Sequence, residues 1–135
     1  MLRILYGAVA SVFAALLLLS CGGRDDTRPE EMAARTAKVY YDYLAQGNCE
    51  AFVDGFYQPD SIPSAYREQL VASARMLARQ LKTDHGGLKG IEAGRAVADT
   101  ARHAGRAFLV LCFADGTKEE IVVPLVLHRG NWMLR

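Results

Sequence analysis

Three cysteines, three histidines and a scatter of tyrosines and acids are the residues with chemistry to offer. A cysteine can be acylated, bridged or simply buried, so Cys21, Cys49 and Cys112 each need a context. A general acid–base mechanism would draw on His85, His103 or His128, on Tyr40, Tyr43 or Tyr66, or on Asp54 or Asp99. The spacing of these groups speaks against most reactions. There is no His-x-x-x-His, no Cys-x-x-Cys and no paired acid-x-x-His, so no metal ligand set is legible. There is no Gly-x-Ser-x-Gly elbow and no phosphate-binding loop. The histidines fall at ends of elements: His85 at a helix C-terminus, where the dipole favours imidazolium, His103 in a turn, and His128 at a strand end beside Arg129. Asp54 reads as the solvent side of a short helix. No catalytic residue, metal or cofactor is therefore assigned.

Cys21 has the clearest context. Met1 and Arg3 place two positive charges ahead of Ile4–Leu19, a stretch without any charge. As a helix that stretch spans about 24 Å, short of the ~30 Å hydrocarbon core of a bilayer. A charged start, an apolar stretch and a small residue at the end describe a secretory signal. It closes on Leu17-Leu18-Leu19-Ser20-Cys21, which resembles the bacterial lipobox. The resemblance implies a signal peptide over 1–20, a diacylglycerol on the Cys21 sulfur, and cleavage before that residue. Two or three acyl chains anchor stably where one is marginal. Residues 21–28 then form a flexible tether, Gly22-Gly23-Arg24-Asp25-Asp26 lacking apolar or β-branched residues. Gly22 is not the Asp that retains some lipoproteins at the inner membrane, which favours the bacterial outer membrane. The pair Asp25-Asp26 resembles a surface-export signal and reads equally as a solvated spacer. The face exposed, periplasm or cell surface, stays open.

The remainder is an ordinary globular composition. Residues 21–135 hold 53 apolar residues in 115, with 15 basic against 15 acidic side chains. Zero net charge excludes a nucleic-acid partner recognised through bulk charge.

The elements that must position the candidate residues are readable by period. Thr27-Arg28-Pro29-Glu30 forms a capping-box pattern, followed by Ala33, Ala37, Tyr40, Tyr41 and Leu44 on one helical face, with Gly47 as the stop. Asn48 is placed to cap a short helix carrying Ala51, Phe52 and Phe56. The prolines of Gln58–Pro63 mark a loop. A third helix over about 63–84 carries Tyr66, Leu70, Ala74, Leu77 and Leu81 as a stripe, with Arg67, Arg75 and Arg79 on its outer side. Strand patterns follow over 88–99, 107–114 (apolar on both faces, hence covered), 121–127 and 132–134. Asp115-Gly116 and Arg129-Gly130-Asn131 supply the turns, and Pro124 points to an edge or a bulge. The fold class is α+β: three N-terminal helices packed on one face of a four-stranded antiparallel meander, within a single domain over 29–135.

That order resembles the cystatin-like roll of the nuclear-transport-factor-two-like superfamily. The resemblance rests on Val39–Asn48 with Glu50-Ala51-Phe52, and on the last strand, Gly130-Asn131-Trp132-Met133-Leu134. The whole also resembles small bacterial lipoproteins whose domain has no assigned function. The resemblance implies a cone between sheet and helices, with Tyr40, Phe52, Phe56, Tyr66 and Trp132 as candidate pocket residues or, equally, as core. Buried Tyr and Trp need a hydrogen-bond partner, which favours a wet cleft near Tyr40 or Trp132. In such a roll the start of the second helix approaches the sheet, so Cys49 and Cys112 are either a disulfide or two buried thiols. The implied function is a non-catalytic binding or interaction module. It would be held at the membrane by its lipid and would take a small apolar ligand or an envelope protein. A small cone-fold isomerase or hydrolase and a sheet-mediated homodimer are the alternatives.

Overall fold

The computed structural model describes residues 28–58 and 62–135. The expected signal peptide, Cys21, most of the expected tether and Thr27 lie outside the described residues. The elements run α1 (Pro29–Ala45), α2 (Cys49–Asp54), α3 (Ser64–His85), β1 (Leu88–Asp99), β2 (Ala104–Phe113), β3 (Lys118–His128) and β4 (Asn131–Leu134). The strands form one antiparallel sheet in the order β1-β2-β3-β4. The α+β meander with N-terminal helices is the observed architecture.

The N-cap of α1 is Arg28, in extended conformation and without a side-chain cap bond, one residue after the expected Thr27. Pro29 at the first helical position brings a φ that is already helical and removes one of the unpaired N–H groups of this end. Asn48 does cap α2, its Oδ1 accepting from Ala51 N at 3.2 Å.

Both central strands run beyond their apolar stretches. Lys118, Glu119 and Glu120 pair with Cys112, Leu111 and Val110, because ladder bonds belong to the backbone and do not require apolar side chains. Pro124 sits in β3, between β2 and β4, yet β4 pairs only as far as Leu125↔Leu134. The Pro124 carbonyl accepts from Arg135 N at 3.0 Å on that side. The missing N–H therefore faces the side where the last strand has just ended, a local edge.

Helix α1 alone lies along the sheet. Ala33 and Ala37 of α1 and Ala107 and Leu109 of β2 are all fully buried in one core, and the small side chains allow helix and sheet to approach closely. Helix α2 packs on α1, and α3 packs chiefly on α2 and touches the sheet chiefly at β1. The buried line of α3 is Val71 and Ala74, flanked by half-buried Leu70, Ala78 and Leu81. The expected stripe is thus rotated: Tyr66 is 49% exposed and Leu77 41%. Arg67 and Arg75 do not face bulk solvent alone. They reach across to α2, Arg67 to Asp54 at 2.9 Å and Arg75 to Glu50 at 3.7 Å.

Strand β2 buries Ala107, Leu109, Leu111 and Phe113 beneath the helices, while Phe108, Val110 and Cys112 on the other face are half-buried. The covering expected on that second face is partial. The Arg95 guanidinium lies 5.0 Å from the Phe108 ring centre, and Val122 stays 52% exposed. This alternation also answers the disulfide question. Cys49 and Cys112 are both free thiols. Cys49 sits buried on the helix side, and Cys112 has the parity of the opposite face, so the sheet itself stands between them.

Candidate functional site

A cleft of about 670 Å³ opens between α1 and the β3–β4 turn. One wall is a single face of α1: Met32, Arg35, Thr36 and Val39, at helical spacings of three and four. The opposite wall is Leu127, Gly130, Asn131, Trp132 and Met133, with Thr100 from the β1–β2 turn. Tyr40 also lines it.

Two glycines seat the aromatic residues of this cleft. A Cβ on Gly55 would overlap the ring of Tyr40, so the short turn after α2 must be glycine for Tyr40 to lie where it does. A Cβ on Gly105 would come within 3.0 Å of the Trp132 ring. Trp132 is only 8% exposed, its ring against Gly105 of β2. The strand carrying it is fixed twice. It pairs with β3 through Leu127↔Trp132, and on its free side Leu134 N donates to Gly55 O at 2.8 Å while Tyr57 N donates to Leu134 O at 2.7 Å. Residues 55–57, just ahead of the loop that the prolines mark, thus finish the sheet edge.

Of the five candidate pocket residues, Tyr40 and Trp132 meet here. Phe52 and Phe56 line a different space of about 300 Å³, between α1, α2 and α3, with Tyr41 and Leu70. There Tyr41, Phe52 and Phe56 make a ladder of edge-to-face contacts, each with ring centres 5.2 Å apart. Burial pushes the Tyr41 phenol above its ordinary pKa. Tyr66 lines neither space. Sequence reasoning did not single out Arg35 or Asn131. The signal was present for Arg35, which stands between Met32 and Val39 on the helical pattern.

The remaining candidate groups are held in local contacts. Asp99 accepts from Arg102 N at 3.2 Å within the β1–β2 turn. The His128 ring lies 5.0 Å from that of Tyr57. One cluster has a composition that sequence spacing concealed. His85 Nδ1 lies 3.0 Å from Asp115 Oδ2 and 3.3 Å from Thr117 Oγ1, and the Thr117 hydroxyl donates to Asp115 Oδ1 at 2.6 Å. Hydrogen bonds from the Thr117 hydroxyl and backbone N–H, then from His85, lower the Asp115 pKa to about 2. The arrangement is not that of an activated nucleophile. Acid and hydroxyl meet the same ring nitrogen, and the hydroxyl proton goes to the carboxylate rather than to the imidazole. The cluster joins the end of α3 to the β2–β3 turn, with the His85 ring stacked on Phe113 at 4.1 Å. It lies at the opposite end of β3 from the cleft. Among the described residues no group of three or more His, Cys, Asp or Glu is placed to hold a metal ion. Among the same residues no helix is long and apolar enough to cross a membrane.

No family model matches the chain, and no curated protein matches it. Solved structures do. A protein of Campylobacter jejuni described as an NTF2-like transpeptidase superposes with a TM-score of 0.54 at 15% identity, over 74% of this chain and 94% of that one. The protein Aln2 of a Streptomyces species gives 0.47 at 14% identity, over 77% and 83%. A Xanthomonas campestris protein described as a calcium/calmodulin dependent protein kinase II association domain gives 0.41 at 14%, over 84% and 87%. At such identities a likeness speaks for fold alone, and the first of the three carries it: this is an α+β domain of the NTF2-like fold.

Proposed function

We propose, from the premise of an NTF2-like domain, that the chain is a lipid-anchored lipoprotein of the bacterial outer membrane. Its folded part is a non-catalytic binding module for a small apolar ligand. The observation that carries the binding reading is the cleft between α1 and the β3–β4 turn. Its volume of about 670 Å³ falls in the ordinary range of small-molecule sites, ~300–1,000 Å³. Its walls are largely apolar, and Met32 and Val39 stand 44% and 48% exposed along one of them. Large apolar side chains held at the rim of a concavity gain from a ligand that covers them. The non-catalytic reading rests on geometry: the cluster that unites imidazole, carboxylate and hydroxyl is wired as a clamp and lies at the far end of the sheet. The anchoring reading rests on the Leu17–Cys21 sequence.

Two measurements test this. Metabolic labelling with palmitate should mark the full chain, and Cys21→Ala should abolish the label and leave an uncleaved precursor. Label that survives the substitution refutes the anchor. Native mass spectrometry of the mature protein released from membranes should show an added mass that disappears on denaturation. A bare mass under the same conditions counts against a resident ligand and turns the search to protein partners.

A further inference from the structure

We infer that the cleft takes a single-tailed anionic amphiphile, with its carboxylate or phosphate head on Arg35 and its tail along Trp132. The inference deepens the binding reading above and rests on it. Among the described residues, Arg35 is the only charged one that lines the cleft. Every ion pair found among those residues uses other side chains, so none of them sets a carboxylate against the guanidinium. Its position is unusual for an exposed arginine. Met32 precedes it by one helical turn and Val39 follows by one, and both present apolar surface beside it. The face therefore reads apolar, cationic, apolar, and the wall across the cleft is Leu127 and Trp132. A neutral apolar ligand would cover the rim and leave the guanidinium idle. A cationic one would be repelled by it. A planar fork of N–H donors matches the two oxygens of a carboxylate or phosphate, and a tail running inward from that head meets the apolar walls.

The chain carries its own reporter, since Trp132 is its only tryptophan. The full lipid-bearing protein, reconstituted in phosphatidylcholine liposomes, is titrated with decanoate, decyl phosphate and decanol while Trp132 emission is followed. The same titrations are run on Arg35→Gln and Arg35→Lys, and every affinity is taken against the measured free concentration of the probe, so that partition into the liposomes does not enter. The expected result is saturable binding of all three probes to the native chain, with the anions about fivefold tighter than the alcohol, the size of a partly exposed ion pair. Arg35→Gln should bind all three alike, and Arg35→Lys should keep part of the preference. Raising the salt should shrink the preference in the native chain, since the head is solvent-accessible. The tighter of the two anions names the head group. Equal binding of anions and alcohol to the native chain, or a preference that survives Arg35→Gln, overturns the inference and leaves the cleft as an apolar site. A Trp132 signal that no probe moves overturns the cleft itself, and the binding reading with it.

Discussion

Tyr40 and Tyr41 are neighbours in the chain and belong to two different spaces. A helix turns about 100° per residue, so one ring points toward the sheet and the other toward α2 and α3. Tyr40 enters the larger cleft beside Trp132, with a cation and several hydrogen-bonding groups around it. Tyr41 enters the smaller space, where Phe52 meets it edge-on and Phe56 in turn meets Phe52. The difference teaches what each region is for. The aromatic ladder joins α1 to α2 and the turn after it, and α3, which buries only Val71 and Ala74, closes over the same space with Leu70. The cleft is backed by a paired sheet, so its rim residues are free to remain exposed. One region uses its apolar surface for cohesion, and the other keeps it for contact.

Substitutions can break this division. Phe52→Ala should have the largest effect, about 3–5 kcal/mol of lost stability by urea denaturation, as for other buried aromatic truncations. It should leave the Trp132 emission of the folded protein unchanged, because the ladder and the cleft share no residue. A shifted emission would show that the two spaces are coupled. Gly55→Val should cost about 1–3 kcal/mol by overpacking and, unlike Phe52→Ala, should shift Trp132 emission, since the added side chain evicts Tyr40 from its seat. Acid sensitivity sharpens the contrast at a third place. The folded pKa of Asp115, about 2, lies below its ordinary value of 3.8. A depressed carboxylate stabilises the fold above its unfolded pKa, and that contribution disappears as pH falls from near 3.8 toward 2. Asp115→Asn should therefore flatten the acid limb of a stability–pH curve in this window. An acid limb identical to that of the native chain would remove the clamp. The smallest effect belongs to Tyr66→Ala, within about 0.5 kcal/mol, the usual range of surface positions. A larger loss would return Tyr66 to the site that sequence reasoning gave it.

Element order was legible because it depends on short-range chemistry. The interval 88–99 is a strand by pattern and in the fold, and Asn48 caps the helix that its side-chain type predicts. The ends of β2 and β3 were less legible, because Lys118, Glu119 and Glu120 join the ladder through backbone groups that side-chain polarity does not report. The candidate site was half legible. Trp132 and Tyr40 were marked by their need for a polar neighbour, and they do share a cleft. Phe52, Phe56 and Tyr66 were grouped with them by residue type, which carries no direction. Arg35 was passed over because an arginine on a helix is ordinarily a solvated one.

The amino-acid sequence by itself determined the periods, the turns and the count of elements in the domain, since each follows from interactions a few residues apart. It also determined the alternation of side chains along a regular strand such as β2, though not the register shifts of β1 between Leu88 and Gly90 and between Ala93 and Ala96. Which parity faces the helices was decided only when α1 settled on the sheet. That docking set Cys49 and Cys112 on opposite sides, rotated α3 until Tyr66 met solvent, and parted Tyr40 from Tyr41. The physical reason is the same in each case. A helix or strand fixes the angles between its own side chains, but the direction that counts as inward is a property of the partner it packs against.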